Sequence, residues 1–182
     1  MAAINFTIPV LDTPRLILRG HRIDDFEAMV AIWQDPEVMH HFHVTGLSRE
    51  EIWGRFVRSF GMWAVSGYGF WAVEDKATGE YAGIAGIFDG KRELVPAVPA
   101  YMPEAGWVFA RKFHGKGYAT ETMQAALHWA DKALGRPAMF AIVAPANTAS
   151  IRVAEKCGFK PWYDTIYHDH PTAVLQRAPK KG

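Results

Sequence analysis

Across residues 104–134, EAGWVFARKFHGKGYATETMQAALHWADKAL, the apolar positions change their period twice. Trp107, Val108, Phe109 and Ala110 form a short apolar run after Gly106 and before Arg111-Lys112, a pattern that predicts a strand. A glycine-containing turn follows. Beyond it Ala119, Met123, Ala126, Leu127, Ala130 and Leu134 recur at helical spacing, and Gly135 and Pro137 stop the helix. The same order returns at once: an apolar run over 138–144, then NTASIRVAEKCGF over 147–159.

The earlier half alternates in the same way. Leu16-Ile17-Leu18-Arg19 reads as a strand after Pro14, and Asp24 is placed to cap a helix over 25–33. Phe26, Met29, Val30 and Trp33 are its buried stripe, and Asp35-Pro36 ends it. Ser48 and Glu51 make a capping box for a helix over 49–65, with Ile52, Phe56, Phe60 and Trp63 on its apolar face. Trp53 falls off that stripe, which leaves it for the core or for a ligand groove. Residues 68–74 and 80–88 read as strands joined by the hairpin turn 75–79. In KRELVPAVPAYMP, residues 91–103, three prolines exclude a central strand, so the segment is a lid, a wall or a neutral insertion. Runs over 160–168 and 173–175 predict a closing hairpin, followed by a frayed tail, RAPKKG.

Composition narrows the class. A chain of 182 residues, 49% hydrophobic and 21% charged, suits one domain, with its core at about 12–178. A net charge of +1 argues against nucleic acid as the main partner. The single cysteine, Cys157, excludes an internal disulfide and fits a reducing compartment. The start MAAINFTIPV lacks a basic segment and a long apolar run, and no stretch reaches the roughly 18 apolar residues of a membrane span. A cytoplasmic protein, monomer or homodimer, is the expectation.

Chemistry enters at His114-Gly115-Lys116-Gly117-Tyr118-Ala119. The first amides of a helix have no intrahelical partner, and the dipole there favours an anion. Gly115 and Gly117 let the backbone approach a phosphate, and Arg111, Lys112 and Lys116 add positive charge. The P-loop pattern GxxxxGK[ST] is absent. A dinucleotide fingerprint is disfavoured too, because Thr120 takes the third glycine position and the next strand ends in Ala144-Pro145 rather than an acid. A plain strand-to-helix turn with a solvated basic edge remains the alternative.

GKGYATE followed by NxxSxxxxEKxGF, with the opening DTPRLILR, resembles the GCN5-related N-acetyltransferases (GNAT), specifically the Rim-type group that acetylates N-terminal amines of ribosomal proteins. The resemblance implies an α/β (α+β) fold with a mixed, mostly antiparallel sheet and helices on both faces. It implies acetyl-CoA as co-substrate and an amine acceptor. By position, Trp107, Val108, Phe109 and Ala110 would expose strand backbone to the pantetheine arm, while His114, Gly115, Lys116, Gly117, Tyr118 and Ala119 hold the pyrophosphate. Where many relatives carry Gln or Arg before the turn, this chain has Lys112.

The resemblance also implies Glu104 as the base that takes a proton from the amine. The usual tyrosine acid is replaced by Ala154, which leaves Ser150 to protonate the leaving sulfur, with Tyr163 a second substitute. Asn147 would cap the helix and bond the pantetheine arm. A small amine is the alternative acceptor to a protein N-terminus, and a non-catalytic acyl-CoA-binding module is the alternative to an enzyme. The clusters His40-His41-Phe42-His43 and His168-Asp169-His170 raise a metal-dependent hydrolase, but no flanking Cys or Glu completes a first set of ligands at the former and a turn between strands explains the latter, so no metal is expected.

Overall fold

The computed structural model describes residues 7–42 and 46–179. His43 of the first histidine cluster, and the last three residues of the tail, lie outside them. The strands are β1 (Leu11–Asp12), β2 (Leu16–Arg19), β3 (Phe70–Asp75), β4 (Tyr81–Phe88), β5 (Glu104–Phe109), β6 (Met139–Val143), β7 (Lys160–Tyr167) and β8 (His170–Arg177). They form one sheet in the order β1-β2-β3-β4-β5-β6-β8-β7. Only β5 and β6 run parallel; every other neighbouring pair is antiparallel. The expected mixed, mostly antiparallel α/β architecture is what the chain adopts.

The helices are α1 (Phe26–Trp33), α2 (Pro36–Met39), α3 (Arg49–Ser66), α4 (Tyr118–Ala133) and α5 (Thr148–Lys156). Alternation along each strand sends successive side chains to opposite faces. Trp71, Val73, Ala85 and Ile87 meet Met123, Ala126 and Ala130 of α4 and Ala154 of α5 on one face. Ala72, Ile84 and Val108 meet Met29, Val30, Ile52 and Phe56 of α1 and α3 on the other. A third, smaller core joins Leu94 and Met102 of the proline segment to Phe140 and Val174.

Several expectations need correction. Asp25, not Asp24, closes the start of the first helical segment: it accepts the Arg22 amide at 2.7 Å while held by the Arg19 guanidinium at 2.8 Å. Asp35 does not simply end a helix. Its carboxylate accepts the Glu37 amide at 2.9 Å and caps α2, with Pro36 at the first helical position, where a missing N–H costs nothing. Strand β5 begins three residues earlier than its apolar run, and takes in the buried Glu104. The closing hairpin is longer than its apolar centre, since β7 alternates exposed and half-buried positions at the sheet edge. Trp53 packs against Phe26 and Phe56, with ring centroids 5.0 and 5.5 Å away, and is 42% exposed on the outer side of α3. It is not among the residues that line the cavity described below.

His21 adds a pH dependence to this core. It is buried among Phe56, Phe60 and Tyr81, with neither ring nitrogen hydrogen-bonded among the described residues. Burial dominates over the attraction of Asp25 and lowers its pKa from 6.5 to about 4. Between those values the unfolded chain binds a proton that the folded chain does not. Stability contributed by neutral His21 is therefore complete above the upper value and lost as pH falls towards the lower. The loss from about pH 7 to about pH 4.5 is about 2 kcal/mol. Urea denaturation at both pH values should show His21→Leu losing less stability than the parent by that amount; equal losses would contradict the assignment.

Candidate active site

The turn before α4 is shaped for an anion by its backbone. Gly115 and Gly117 have φ of +74° and +78°, torsions that side-chain-bearing residues rarely adopt. Among the described residues, the amides of residues 115–120 make no backbone hydrogen bond, and the first such bond of the helix is from Glu121 to the Gly117 carbonyl. The amide of His114 is already used: it donates to the Arg111 carbonyl at 3.0 Å, and the His114 ring lies 2.8 Å from the Phe109 carbonyl. His114 braces the turn rather than opening it. Lys112 pairs with Glu80 and Arg111 with Asp35, whereas Lys116 has no carboxylate partner among the described residues.

Why DTPRLILR accompanies GKGYATE becomes visible here. Glu121 accepts from the Thr13 hydroxyl at 2.8 Å, from the Arg15 amide at 2.9 Å and from Arg15 Nε at 2.7 Å. Arg15 also donates to the Lys116 carbonyl at 2.8 Å and lies over the Tyr118 ring. The Tyr118 hydroxyl donates to Asp75 at 2.6 Å. Two distant segments thus fix one turn.

Beside the turn, the sheet opens. Strands β5 and β6 share a single register pair, Glu104 with Phe140, sealed by the Phe140 amide on the Pro103 carbonyl at 3.1 Å. Beyond that point they part, while β5 stays paired to β4 along its whole length, from Phe88–Glu104 to Gly83–Phe109. One edge of β5 is therefore left without a strand partner. The gap leads into a cavity of about 740 Å3 between α1 and α3 on one side and the proline segment on the other. Trp107 and Val108 line it, with Asn147 and Ser150 at the start of α5.

Glu104 stands in the floor of the cavity, 2% exposed. Arg92, from the proline segment, grips it through two bonds of 2.7 and 2.9 Å and also donates to the Tyr167 hydroxyl at 3.3 Å. Burial raises the Glu104 pKa, and the Arg92 guanidinium opposes that without cancelling it. The segment 91–103 is a packed wall: the Tyr163 hydroxyl donates to the Pro96 carbonyl at 2.8 Å, and Thr165 bonds the Val95 carbonyl at 2.6 Å. Tyr163 is thereby committed away from the cavity and is no substitute acid. The tyrosine that does line it is Tyr167, whose place at the cavity has no signal in the sequence.

At α5 the Asn147 carboxamide oxygen accepts the Ser150 amide at 3.0 Å, the cap expected from its position. Ala154 is fully buried, so no side chain reaches the cavity from there. Cys157 is buried as well, and burial pushes its thiol up to about 11, which leaves it a poor nucleophile. His168 and His170 border the cavity, while positive φ at His168 and Asp169 makes their cluster the turn between β7 and β8. Among the described residues no three His, Cys, Asp or Glu side chains gather as a metal would need, and no helix is long and apolar enough to cross a membrane.

Comparison with known proteins places this geometry. Residues 15–160 match the family model described as the Acetyltransferase (GNAT) domain. The uncharacterized protein YkkB of Bacillus subtilis is 34% identical over 175 residues, covering 92% of this chain and 94% of its own. A Bordetella pertussis protein assigned to the GNAT-family acetyltransferases superposes with a TM-score of 0.81 at 32% identity, covering 94% of this chain and all of the other. An acetyltransferase from Agrobacterium tumefaciens gives 0.78 at 28% identity, over 97% and 98% of the two chains. A family match over most of the chain, an anion-ready turn and a parted sheet agree: the chain belongs to the GNAT acetyltransferases, enzymes that draw the acetyl group from acetyl-CoA.

Proposed function

We propose that the cleft transfers the acetyl group of acetyl-CoA directly to a primary amine. The observation that carries this reading is the single β5–β6 register pair, which leaves an unpaired strand edge leading from the glycine turn into the cavity. Acetyl-CoA supplies a thioester carbonyl as acyl donor and a thiolate as leaving group. The residues present fit it: the amides of residues 115–120, aided by Lys116, would hold the pyrophosphate, and the open edge of residues 107–110 would hydrogen-bond the pantetheine arm.

Glu104 takes a proton from the incoming ammonium, directly or through water. Arg92 orients its carboxylate and leaves lone pairs on both oxygens, and burial moves its pKa towards the working range of a base. Ser150, with its amide fixed by Asn147, presents a hydroxyl to the sulfur. The Rim-type resemblance points to a protein N-terminal α-amine as acceptor; the walled cavity favours a small amine.

Glu104→Gln tests the base. The expected result is a fall in kcat of about 10²–10⁴, with acetyl-CoA affinity retained. The parent's kcat/KM should also show an acid limb set above the ordinary glutamate range, and the variant should lose it. A variant with an unchanged rate and limb would remove Glu104 from the mechanism. Binding without turnover of any amine in the parent would favour the acyl-CoA-binding module.

A further inference from the structure

Resting on that amine-acetyltransferase reading, we propose that Arg55 and Arg58 of α3 recognise an oxyanion on the acceptor itself, so that the substrate is a small primary amine carrying a carboxylate or phosphate. The cavity holds more positive charge than its own acids balance. Its two carboxylates are both taken, Glu104 by Arg92 and Asp89 by Lys91. Arg55 and Arg58 also line it, one helical turn apart, and neither makes an ion pair or a side-chain hydrogen bond among the described residues.

Arg55 is half-buried and packed over the Trp33 indole, 4.7 Å from its centroid. Burial and the neighbouring charges of Arg58 and Arg92 weigh against its charged form, and Glu51 only partly opposes them. Trp33, in the same wall, has an indole N–H with no hydrogen-bond partner among the described residues. Keeping the half-buried Arg55 charged beside Arg58 and Arg92 is costly unless a counter-charge arrives, and the exposed Arg58 is free to turn towards the same anion. Guanidinium forks match carboxylate and phosphate oxygens in pairs.

The donor does not supply that counter-charge. None of residues 115–120, whose amides would hold the pyrophosphate, borders this cavity, whereas Trp107, Asn147 and Ser150, which do line it, belong to the thiol end. The arginines stand on the helix face beyond, on the acceptor side. A polycationic amine would meet repulsion there. An amine whose own oxyanion sits between Arg55 and Arg58 would place its nitrogen towards Glu104, the buried acid of the same cavity.

The test uses matched acceptors with the full-length protein and acetyl-CoA: glutamate and methionine against their α-carboxamides, phosphoethanolamine against ethanolamine, and spermidine as polycation. Thiol release and product mass are followed for each. At least one oxyanion-bearing amine should exceed its uncharged partner in kcat/KM by about tenfold or more, since a guanidinium–oxyanion pair is among the stronger hydrogen-bonded contacts. The carboxylate and phosphate pairs separate the two anion types. Arg55→Met and Arg58→Met should each collapse that ratio towards one, mainly through KM, a quantity insensitive to partial loss of folded protein; Arg58→Lys should keep part of it. Preference for spermidine or the uncharged partners, or ratios unchanged in both variants, would overturn the assignment while leaving the acetyltransferase reading intact. Loss of acetyl-CoA binding in the variants would move the arginines to the donor site and overturn it equally. If no amine at all is acetylated, the proposed function fails first, and this inference with it.

Discussion

Gly117→Trp should abolish measurable acetyl-CoA binding. Gly117 has φ +78° and is the last residue before α4, so its side-chain direction decides what can approach the free amides of the helix start. A Cβ there would sit 3.5 Å from Arg15 Nη2, ordinary contact, so the position tolerates an atom but not an indole. Two costs follow. The left-handed torsion destabilises any non-glycine residue by about 1–2 kcal/mol. The indole also covers the space an anion needs, removing several charge-assisted hydrogen bonds of about 1.5–3 kcal/mol each, or roughly 10³-fold in Kd. Gly117→Ala separates the costs, because it carries the torsional strain with little obstruction. Calorimetry should show the alanine variant weakened and the tryptophan variant silent. A tryptophan variant that binds like the parent would place the pyrophosphate elsewhere.

The second large effect concerns stability. Asp131 in the last turn of α4 and Arg177 at the end of β8 form a bidentate pair with bonds of 2.8 and 2.6 Å, both side chains buried. Strand β8 is bonded to β6 and β7 on its two edges, so this pair fastens α4 to the half of the sheet beyond the gap. Asp131→Ala leaves a buried guanidinium without its carboxylate partner, at a cost of about 3–5 kcal/mol. That is a large share of the about 5–15 kcal/mol that holds a domain folded. The urea midpoint should fall by roughly 1–2 M. Adding Arg177→Met should restore much of the loss, because a well-packed apolar pair replaces the buried ions. A single variant as stable as the parent, or a double variant less stable than the single, would contradict this account of the pair.

The sequence patterns were legible where local physics decides the outcome. The Ser48–Glu51 capping box, the Asn147 cap and the glycine turn are short-range devices, and each forms as its residues predict. The GNAT family was readable from the same motifs, while the Rim-type subgroup stays a resemblance. What was not legible depends on partners far apart in the chain. Nothing in KRELVP announces that Arg92 will grip Glu104, because that contact exists only once the proline segment packs on Phe140 and Val174. Tyr163 and Tyr167 lie on one edge strand; only the position of the Pro96 carbonyl decides that the first is taken and the second faces the cavity. Trp53 shows the converse, since an aromatic residue off the helix stripe found a neighbouring helix rather than a groove. Arg15 and Glu121 were both within recognised motifs, but their contact had no sequence signal of its own.

The most direct test of amine acetylation is thiol release from acetyl-CoA, with and without a primary amine, followed by the masses of both product and protein. Direct transfer predicts amine-dependent thiol release, acetylated amine in equal amount and no acetyl group on the protein. Acetyl-CoA that binds yet releases no thiol with any amine offered would contradict the enzyme and leave an acyl-CoA-binding module.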